Sequence, residues 1–243
     1  MMTNNSGLKI LTIDIGGSHI KATILDEAGT LIQDYARLPT PVPSTPGSVL
    51  ETISDLVKKF PEYDRISVGF PGYVKKGVIK TAPNLGTEQW KDYDLANALS
   101  ALLKRPAKIV NDADLQGLGV ASGNGLEMVV TLGTGFGTAL LQDGNLLPHL
   151  ELSRLPISKD RNYDDYIGEK AFDSKGAEHW NKRVERILEI LKIVFNYDHL
   201  YVGGGNAKKI NFKLDENITI VGNRDGIKGG AKLWKQSDVT WAL

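Results

Sequence analysis

Two glycine-rich turns carry the strongest chemical signal in the sequence. The first is Asp14-Ile15-Gly16-Gly17-Ser18 and the second is Gly133-Thr134-Gly135-Phe136-Gly137, and each lies between two apolar segments. Because glycine has no side chain, such a turn brings backbone N–H groups close to a ligand. We therefore predict phosphate binding by both turns, and the residues expected to bind it are Gly16, Gly17, Ser18, Gly133, Thr134 and Gly135.

The aspartate of the first turn has a chemical use of its own. Asp14 stands at the end of an apolar strand, where a carboxylate without a partner would be costly. Beside phosphate groups it can hold Mg²⁺ through water, and this is the metal site that we predict. Lys21 follows on the next strand, and it is equally well explained as a phosphate ligand or as a solvated residue.

A second acidic motif, Asn111-Asp112-Ala113-Asp114, follows an apolar strand and precedes a small-residue helix expected over 115–121. Taken alone it is most simply a helix cap, because Asn and Asp are favoured at that position. Together with two phosphate-binding turns, one of its carboxylates becomes a candidate general base for an acceptor hydroxyl. This combination predicts a phosphotransferase.

Three further positions have weaker signals. The turn Gly203-Gly204-Gly205-Asn206 follows a buried strand, and it fits a plain strand-to-helix turn as well as a surface for a flat nucleotide. Asn84 and Glu151 are polar residues that could hydrogen-bond a sugar, although a surface loop is the simpler explanation from residue type alone.

The elements that must position these residues follow one plan twice. Three strands, a helix, a strand and a glycine turn predict an α/β protein with two related lobes and a cleft between them. We place the division near residue 115, with an N-terminal lobe at 1–114 and a C-terminal lobe at 115–243. Strands are expected at 8–15, 18–26, 31–38, 65–70, 107–110, 126–132, 138–142, 200–202 and 218–221. Helices are expected at 48–60, 95–104, 177–195 and 226–234, with 151–175 mostly loop apart from a short helix near 166–172.

Composition excludes several classes of protein. The 243 residues carry a formal net charge of +0, which does not favour nucleic-acid binding. The chain has no cysteine, so disulfides and thiolate zinc sites are excluded, and its four histidines lack metal-ligand spacing. The polar N-terminal segment lacks the apolar core of a signal peptide, and no segment approaches the ~20 apolar residues of a membrane span. We expect a cytoplasmic protein with no membrane partner.

Several of these motifs, in this order, resemble the ROK sugar kinases of the actin-like ATPase (ribonuclease H-like) fold, and within them the short polyphosphate glucokinase group. Besides the turns and the acidic motif, the resemblance includes Gly69-Phe70-Pro71-Gly72, Thr81-Ala82-Pro83-Asn84-Leu85 and Gly226-Ile227-Lys228-Gly229-Gly230-Ala231. It implies transfer of a phosphoryl group from ATP and/or polyphosphate to a hexose hydroxyl, the 6-OH of glucose. It also implies Mg²⁺ as cofactor, no structural zinc and a homodimer.

The resemblance also implies roles for individual residues. Asp112 becomes the catalytic base. The hexose ligands become Gly72, Asn84, Asn111, Asp112, Glu151 and Asp164. The phosphate and nucleotide ligands become Asp14, Gly16, Gly17, Ser18, Lys21, Gly133, Thr134, Gly135, Gly204, Gly205 and Asn206.

One departure bears on sugar affinity. The family motif Glu-Leu-Gly-His corresponds to Glu151-Leu152-Ser153-Arg154, so that an arginine replaces the histidine. If the Arg154 guanidinium enters the site it should pair with Glu151, and if it turns to solvent one polar contact is lost. Both cases predict weakened glucose binding. They also leave an alternative open, a catalytically impaired protein that binds a sugar or a nucleotide.

The donor is predicted on separate grounds. A near-neutral chain has no global field that would attract a long polyanion. We therefore predict that ATP is used and that polyphosphate use depends on local cations, for which Lys21, Lys208, Lys209 and Lys228 are the candidates.

Overall fold

A computed structural model of the chain describes residues 7–237. Its strands are β1 (Ile10–Ile15), β2 (His19–Leu25), β3 (Leu31–Pro39), β4 (Arg65–Phe70), β5 (Val74–Lys75), β6 (Val78–Ile79), β7 (Tyr93–Asp94), β8 (Ala107–Asn111), β9 (Leu126–Leu132), β10 (Phe136–Gln142), β11 (Asn145–Leu146), β12 (Pro156–Ser158), β13 (Arg161–Asn162), β14 (His199–Gly203) and β15 (Ile218–Ile220). Its α-helices are α1 (Pro46–Val57), α2 (Thr87–Trp90), α3 (Leu95–Leu103), α4 (Asp112–Val120), α5 (Tyr163–Ile167), α6 (Glu169–Phe195), α7 (Asn223–Gly226) and α8 (Gly229–Lys232).

The chain divides into two compact units. The first contains the described residues up to Leu115 together with those from Ile227 onward, and the second is Gln116–Gly226. In the first unit a five-stranded sheet has the order β3-β2-β1-β4-β8. β1 is antiparallel to β2 and parallel to β4, and β4 is parallel to β8.

The core of the first unit forms between the apolar face of α1 and the buried residues of the sheet. In α1, Val49, Ile53 and Leu56 are buried on one face. Thr45 caps this helix by accepting a hydrogen bond from the Ser48 N–H at 3.1 Å, and Pro46 begins its first turn. The helix thus contributes its apolar face to the cluster that includes the inward residues of β1, β2 and β4.

The second unit repeats the strand plan, with a five-stranded sheet in the order β11-β10-β9-β14-β15. β9 and β10 form an antiparallel hairpin, and β14 is parallel to both β9 and β15. Helix α6 packs Trp180, Val184, Ile187 and Leu191 into the core of this unit. The α/β class and the repeated strand plan are therefore confirmed.

The sequence prediction was wrong for most of 151–175. This stretch contains a 3₁₀ turn at Leu152–Arg154, the β12–β13 hairpin, α5 and the first turns of α6. Helix α5 starts at a capping box in which the Asn162 side chain accepts from the Asp165 N–H and the Asp165 side chain accepts from the Asn162 N–H. No single apolar period runs through this stretch because it is divided among short elements, and α6 itself is kinked at Gly176, whose φ is 76°.

Two other helices begin or end elsewhere than predicted. Helix α4 begins at Asp112, so the acidic motif forms the first turn of the helix instead of preceding it. The helix expected over 226–234 is divided into α7, α8 and a 3₁₀ turn at Leu233–Lys235.

The C-terminal segment belongs to the first unit, whereas the sequence prediction assigned it to the second lobe. Ser67 of β4 donates a hydrogen bond to the Gly230 carbonyl at 2.6 Å and accepts one from the Trp234 indole N–H at 2.9 Å. A side chain at Gly230 would overlap the Thr12 hydroxyl of β1, so glycine allows α8 to lie directly on the sheet. This close contact involves residues far apart in the chain, and periodicity does not reveal it.

Within residues 7–237, no helix combines the length and the apolar character that crossing a membrane requires.

Candidate active site

In the first unit, the parallel strands β1, β4 and β8 end at the same edge of the sheet. Asp14 is the penultimate residue of β1 and pairs with Gly69 of β4. Asn111 is the last residue of β8 and pairs with Phe70 of β4. Ligands of open α/β sheets bind at the carboxyl ends of parallel strands, so this edge is where polar side chains can act.

Asp14 is paired with Lys21 across the β1–β2 hairpin. The Lys21 Nζ lies 3.5 Å from the Asp14 Oδ2, and both side chains are partly exposed. Burial raises the pKa of the Asp14 carboxyl, and the neighbouring Lys21 ammonium opposes that rise. The sequence left Lys21 open as a phosphate ligand or as a solvated residue. Neither explanation included this contact with Asp14 on the neighbouring strand.

The residues around Asp14 fit a magnesium ion that is bound mainly through water and phosphate. Within the described part of the chain, no group of three or more His, Asp or Glu side chains could hold a metal ion. Mg²⁺ does not need such a group, since it commonly uses one or two carboxylates, several waters and substrate phosphates. The Asp14 side chain is 29% exposed, which leaves its carboxylate accessible for that use.

The first glycine turn is closed by backbone hydrogen bonds and held by Thr40. Gly16 N–H donates to the His19 carbonyl at 3.0 Å. The Thr40 hydroxyl donates to the Gly16 carbonyl at 2.6 Å, and the Thr40 N–H donates to the Ser18 carbonyl at 3.0 Å. Gly17 and Ser18 are exposed, so the turn is fixed in place while its tip stays accessible. Sequence reasoning missed Thr40, because it lies directly after β3 in a segment without a chemical motif.

Asn111 joins the acidic motif to the loops that contain Gly72 and Asn84, two of the predicted hexose ligands. Its buried amide donates to the Gly72 carbonyl at 3.1 Å. A side chain at Gly72 would overlap the Thr81 carbonyl, so this glycine lets two loops pack together. The second of these loops contains Asn84, whose Cβ lies 4.0 Å from the position of a Cβ built on Gly17. The first unit therefore gathers Gly72, Asn84, Asn111 and the first glycine turn.

Asp112 begins α4 and is partly exposed. Its Oδ1 accepts the Ala113 N–H at 2.9 Å, and the Asn111 Oδ1 accepts the same N–H at 2.7 Å. The capping explanation for this motif is thus correct for the helix start. A capping bond to one oxygen also fixes the carboxylate, which is what a positioned base requires.

The second glycine turn is held from three directions within the second unit. Asp164 Oδ1 accepts the Phe136 N–H at 2.7 Å. The Asn206 amide and the Glu169 N–H both donate to the Gly133 carbonyl, at 3.3 and 3.1 Å. Asp164, which was expected among the sugar ligands, is therefore hydrogen-bonded to the second glycine turn. Burial raises the pKa of its carboxyl, against the lowering effect of the Phe136 N–H and the Arg154 charge.

The turn after β14 lies beside the second glycine turn because β14 and β9 are parallel neighbours. Gly204 has a φ of 88°, and a side chain there would overlap the Leu132 backbone. Asn206 N–H donates to the Leu132 carbonyl at 2.9 Å, whereas Gly205 is exposed and a Cβ built on it would meet no atom within 4 Å. The second unit thus brings the Gly133 and Gly204 turns together, as the prediction of one donor site requires.

Glu151 has partners that the sequence analysis did not foresee. The His149 Nε2 lies 3.2 Å from its Oε1, and the Ser153 hydroxyl donates to its Oε2 at 3.3 Å. The bond to His149 lowers the pKa of the Glu151 carboxyl, followed by weaker contributions from Ser153 and the Arg154 charge. The spacing His-x-Glu is the signal that could have found this pair.

Arg154 is exposed, and across residues 7–237 it forms no ion pair with Glu151. Of the two positions predicted for its side chain, the structure has the one directed to solvent. The histidine contact to Glu151 comes from His149, which precedes the glutamate, and not from residue 154.

The cationic candidates are distributed over both units. In the second unit, Lys209 Nζ lies 3.7 Å from the centre of the Phe172 ring, and Lys208 is exposed. In the first unit, Lys228 is exposed and Lys21 contacts Asp14.

Comparison with known proteins adds independent observations. The family model described as ROK family matches residues 10–148. A polyphosphate glucokinase of Mycobacterium leprae is 34% identical over 94% of this chain and 75% of its own length. The crystal structure of an inorganic polyphosphate/ATP-glucomannokinase from Arthrobacter sp. strain KM is similar with a TM-score of 0.83, at 32% identity over 93% of this chain and 97% of that one.

A more distant structure agrees in fold. A ROK family glucokinase from Streptomyces griseus, solved in complex with glucose and AMPPNP, has a TM-score of 0.79 at 17% identity and covers 93% of this chain and 98% of its own.

Proposed function

Because the chain belongs to the ROK family, we infer that it is a hexose kinase, which transfers a phosphoryl group from ATP and/or polyphosphate to a hexose. The observation that carries this inference is the edge of the first sheet, where Asn111 ends β8, Asp112 follows it and Asp14 is the penultimate residue of β1. Phosphoryl transfer needs a positioned base, charge neutralisation and correct placement of donor and acceptor. The residues at this edge can supply the first two.

We propose that the acceptor is the 6-OH of glucose and that Asp112 takes its proton. Asn111 and the Gly72 loop would hold the sugar beside that base, together with Asn84. Glu151 would accept hydrogen bonds from sugar hydroxyls, since a carboxylate offers about four lone-pair positions and two are already used. Asp164 stays a predicted sugar ligand through the oxygen that does not bind Phe136.

Donor phosphates are proposed to bind to the backbone N–H groups of the glycine turns, with Lys21, Thr134 and the Gly204-Gly205-Asn206 turn as further ligands. Asp14 would hold Mg²⁺ through water. When bound, this ion supplies positive charge that offsets the charge of the phosphates. The raised pKa of Asp14 fits the assignment, because a neighbouring cation stabilises the charged form of a partly buried carboxylate.

The donor is the finer part of the proposal. We propose that ATP is used, as the neutral chain suggests, and that polyphosphate is used as well. Two relatives support polyphosphate as the second donor. They are named as a polyphosphate glucokinase and a polyphosphate/ATP-glucomannokinase, and this chain covers most of the length of each.

A panel of hexoses assayed separately with ATP and with polyphosphate tests this function. Glucose should be phosphorylated, and the product should be glucose 6-phosphate. If glucose binds by calorimetry but no donor gives product, the protein is a sugar-binding member of the family that has lost catalysis. Phosphorylation with polyphosphate and none with ATP would overturn the donor proposal alone.

A further inference from the structure

The loop before the first 3₁₀ turn of the second unit contains a buried histidine to which nothing above assigns a role. The His149 side chain is only 7% exposed, whereas that of its partner Glu151 is 32% exposed. The loop is anchored on both sides of the pair. Thr138 donates from its hydroxyl to the Leu150 carbonyl at 3.0 Å, and Leu152 is buried in the core. The two side chains are therefore held at their 3.2 Å separation by packed structure.

The chemistry of the pair fixes the direction of the hydrogen bond. A charged carboxylate can only accept, so His149 must donate through Nε2–H. His149 donates to Oε1 and the Ser153 hydroxyl donates to Oε2, so the carboxylate cannot rotate without losing both bonds. Each oxygen still has a lone pair that can accept a further hydrogen bond.

We propose that His149 is a positioning residue for hexose binding, which keeps the Glu151 carboxylate charged and oriented as an acceptor for sugar hydroxyls. This inference rests on the proposed function, because it needs Glu151 to be a hexose ligand. His149 acts through Glu151 and is not itself assigned a contact with the sugar.

The pH dependence follows from the groups that face Glu151. His149, Ser153 and Arg154 all lower the pKa of its carboxyl, and they act against burial. The Glu151 charge in turn raises the pKa of the Asp164 carboxyl. Without His149 the largest lowering contribution is gone, and the pKa should rise. Glu151 would then become protonated, and lose its capacity as a double acceptor, as the pH falls toward the ordinary glutamate range of about 4–5.

The test compares His149→Leu, which removes the donor, with His149→Gln, which keeps an N–H donor. His179→Leu is the matched control, since His179 is an exposed histidine on α6. The glucose KM, the donor KM and kcat are measured between pH 5 and 8. The lower limit lies just above the ordinary pKa of glutamate, and the range includes the ordinary imidazole pKa of about 6.5. In a second experiment, carbon-13 NMR follows the titration of the Glu151 carboxyl without any ligand.

We expect His149→Leu to raise the glucose KM about tenfold at pH 7 and more at pH 5, with the donor KM unchanged and kcat reduced less than threefold. Tenfold corresponds to the loss of one charge-assisted hydrogen bond of about 1.4 kcal/mol. His149→Gln should recover most of the affinity, and His179→Leu should behave as wild type.

A folded His149→Leu variant with an unchanged glucose KM at every pH would overturn the proposal. So would an equal rise in the donor KM, because that indicates a general loss of structure. The NMR titration does not depend on activity. If the pKa of Glu151 is the same in wild type and His149→Leu, the proposal fails even if no sugar is phosphorylated, whereas a wild type that binds no hexose contradicts the proposed function instead.

Discussion

At the scale of single residues, the site depends on side chains whose second hydrogen bond fixes them in place. Asn111 bonds both the Gly72 carbonyl and the Ala113 N–H, and Glu151 is held by His149 and Ser153. Residues fixed in this way need little reordering when a substrate binds, which is the advantage of preorganisation.

Arg154→His tests whether the exposed arginine limits sugar affinity. A histidine is shorter and could add a polar contact beside Glu151, whose existing partner is His149. We expect the glucose KM to fall about fivefold, which corresponds to about 1 kcal/mol. Steady-state kinetics with glucose as the varied substrate measures this. An unchanged or higher KM would mean that residue 154 does not set the affinity for glucose.

At the scale of elements, the glycines of the second turn differ in the space around them. A Cβ on Gly133 would meet no atom within 4 Å, whereas one on Gly135 would lie 3.0 Å from the Asp164 Oδ1. The two positions therefore separate ligand binding from the support of the turn.

We expect Gly133→Val to raise the donor KM about tenfold while the melting temperature stays within about 2 °C of wild type. The new side chain would fill only the space predicted for phosphate, and tenfold equals about 1.4 kcal/mol of lost backbone contact. Gly135→Val should raise the donor KM too, and in addition weaken the bond between Asp164 and Phe136. A Gly133→Val enzyme with the wild-type donor KM would show that phosphate does not bind at this turn.

Another element-scale prediction concerns stability. Glu127 of β9 is fully buried and accepts hydrogen bonds from the Ser122 N–H, the Gly123 N–H and the Tyr201 hydroxyl at 2.7–2.9 Å. Burial alone would raise the pKa of its carboxyl, but these three donors together hold it below the ordinary value of 4.5.

We expect Glu127→Gln to lower the free energy of unfolding by about 2–3 kcal/mol at pH 7, because one backbone donor loses a charged acceptor. The depressed pKa means that this contribution is present above the unfolded pKa and is lost as the pH falls through the lower folded pKa. The difference from wild type should therefore shrink below pH 4.5 in urea titrations. Tyr201→Phe removes one donor to Glu127 and the longer bond that its hydroxyl accepts from the Ser122 N–H at 3.3 Å, and it should cost about 1 kcal/mol. Equal stability of Glu127→Gln and wild type at pH 7 would contradict this.

At the scale of the whole molecule, the sequence predicted the local and repeated features of the protein. Strands such as Arg65–Phe70 and Leu126–Leu132 match their predicted ranges, because a continuous apolar run between turn residues leaves little choice of ends. The glycine turns and Asn111-Asp112 were found because each combines a strand end with residues of special backbone or acid–base chemistry.

The features that were missed depend on contacts between distant parts of the chain. Thr40 reaches the first turn and Ser67 bonds Gly230 across long sequence separations, and single-sequence periodicity does not detect either. His149 was overlooked because its partner is a carboxylate, whereas the histidines were examined for metal spacing. The homodimer stays a prediction, and light scattering of the purified protein measures it.

The most direct test of the central claim, that this chain is a hexose kinase with Asp112 as its base, is the turnover of Asp112→Asn with glucose. Asparagine keeps an oxygen that can accept the Ala113 N–H at 2.9 Å, so the start of α4 should be preserved. Turnover is measured by formation of glucose 6-phosphate, and glucose affinity by calorimetry. The account predicts a loss of about 10²-fold or more in kcat with the glucose Kd changed less than about threefold. An Asp112→Asn enzyme with near wild-type kcat would contradict it.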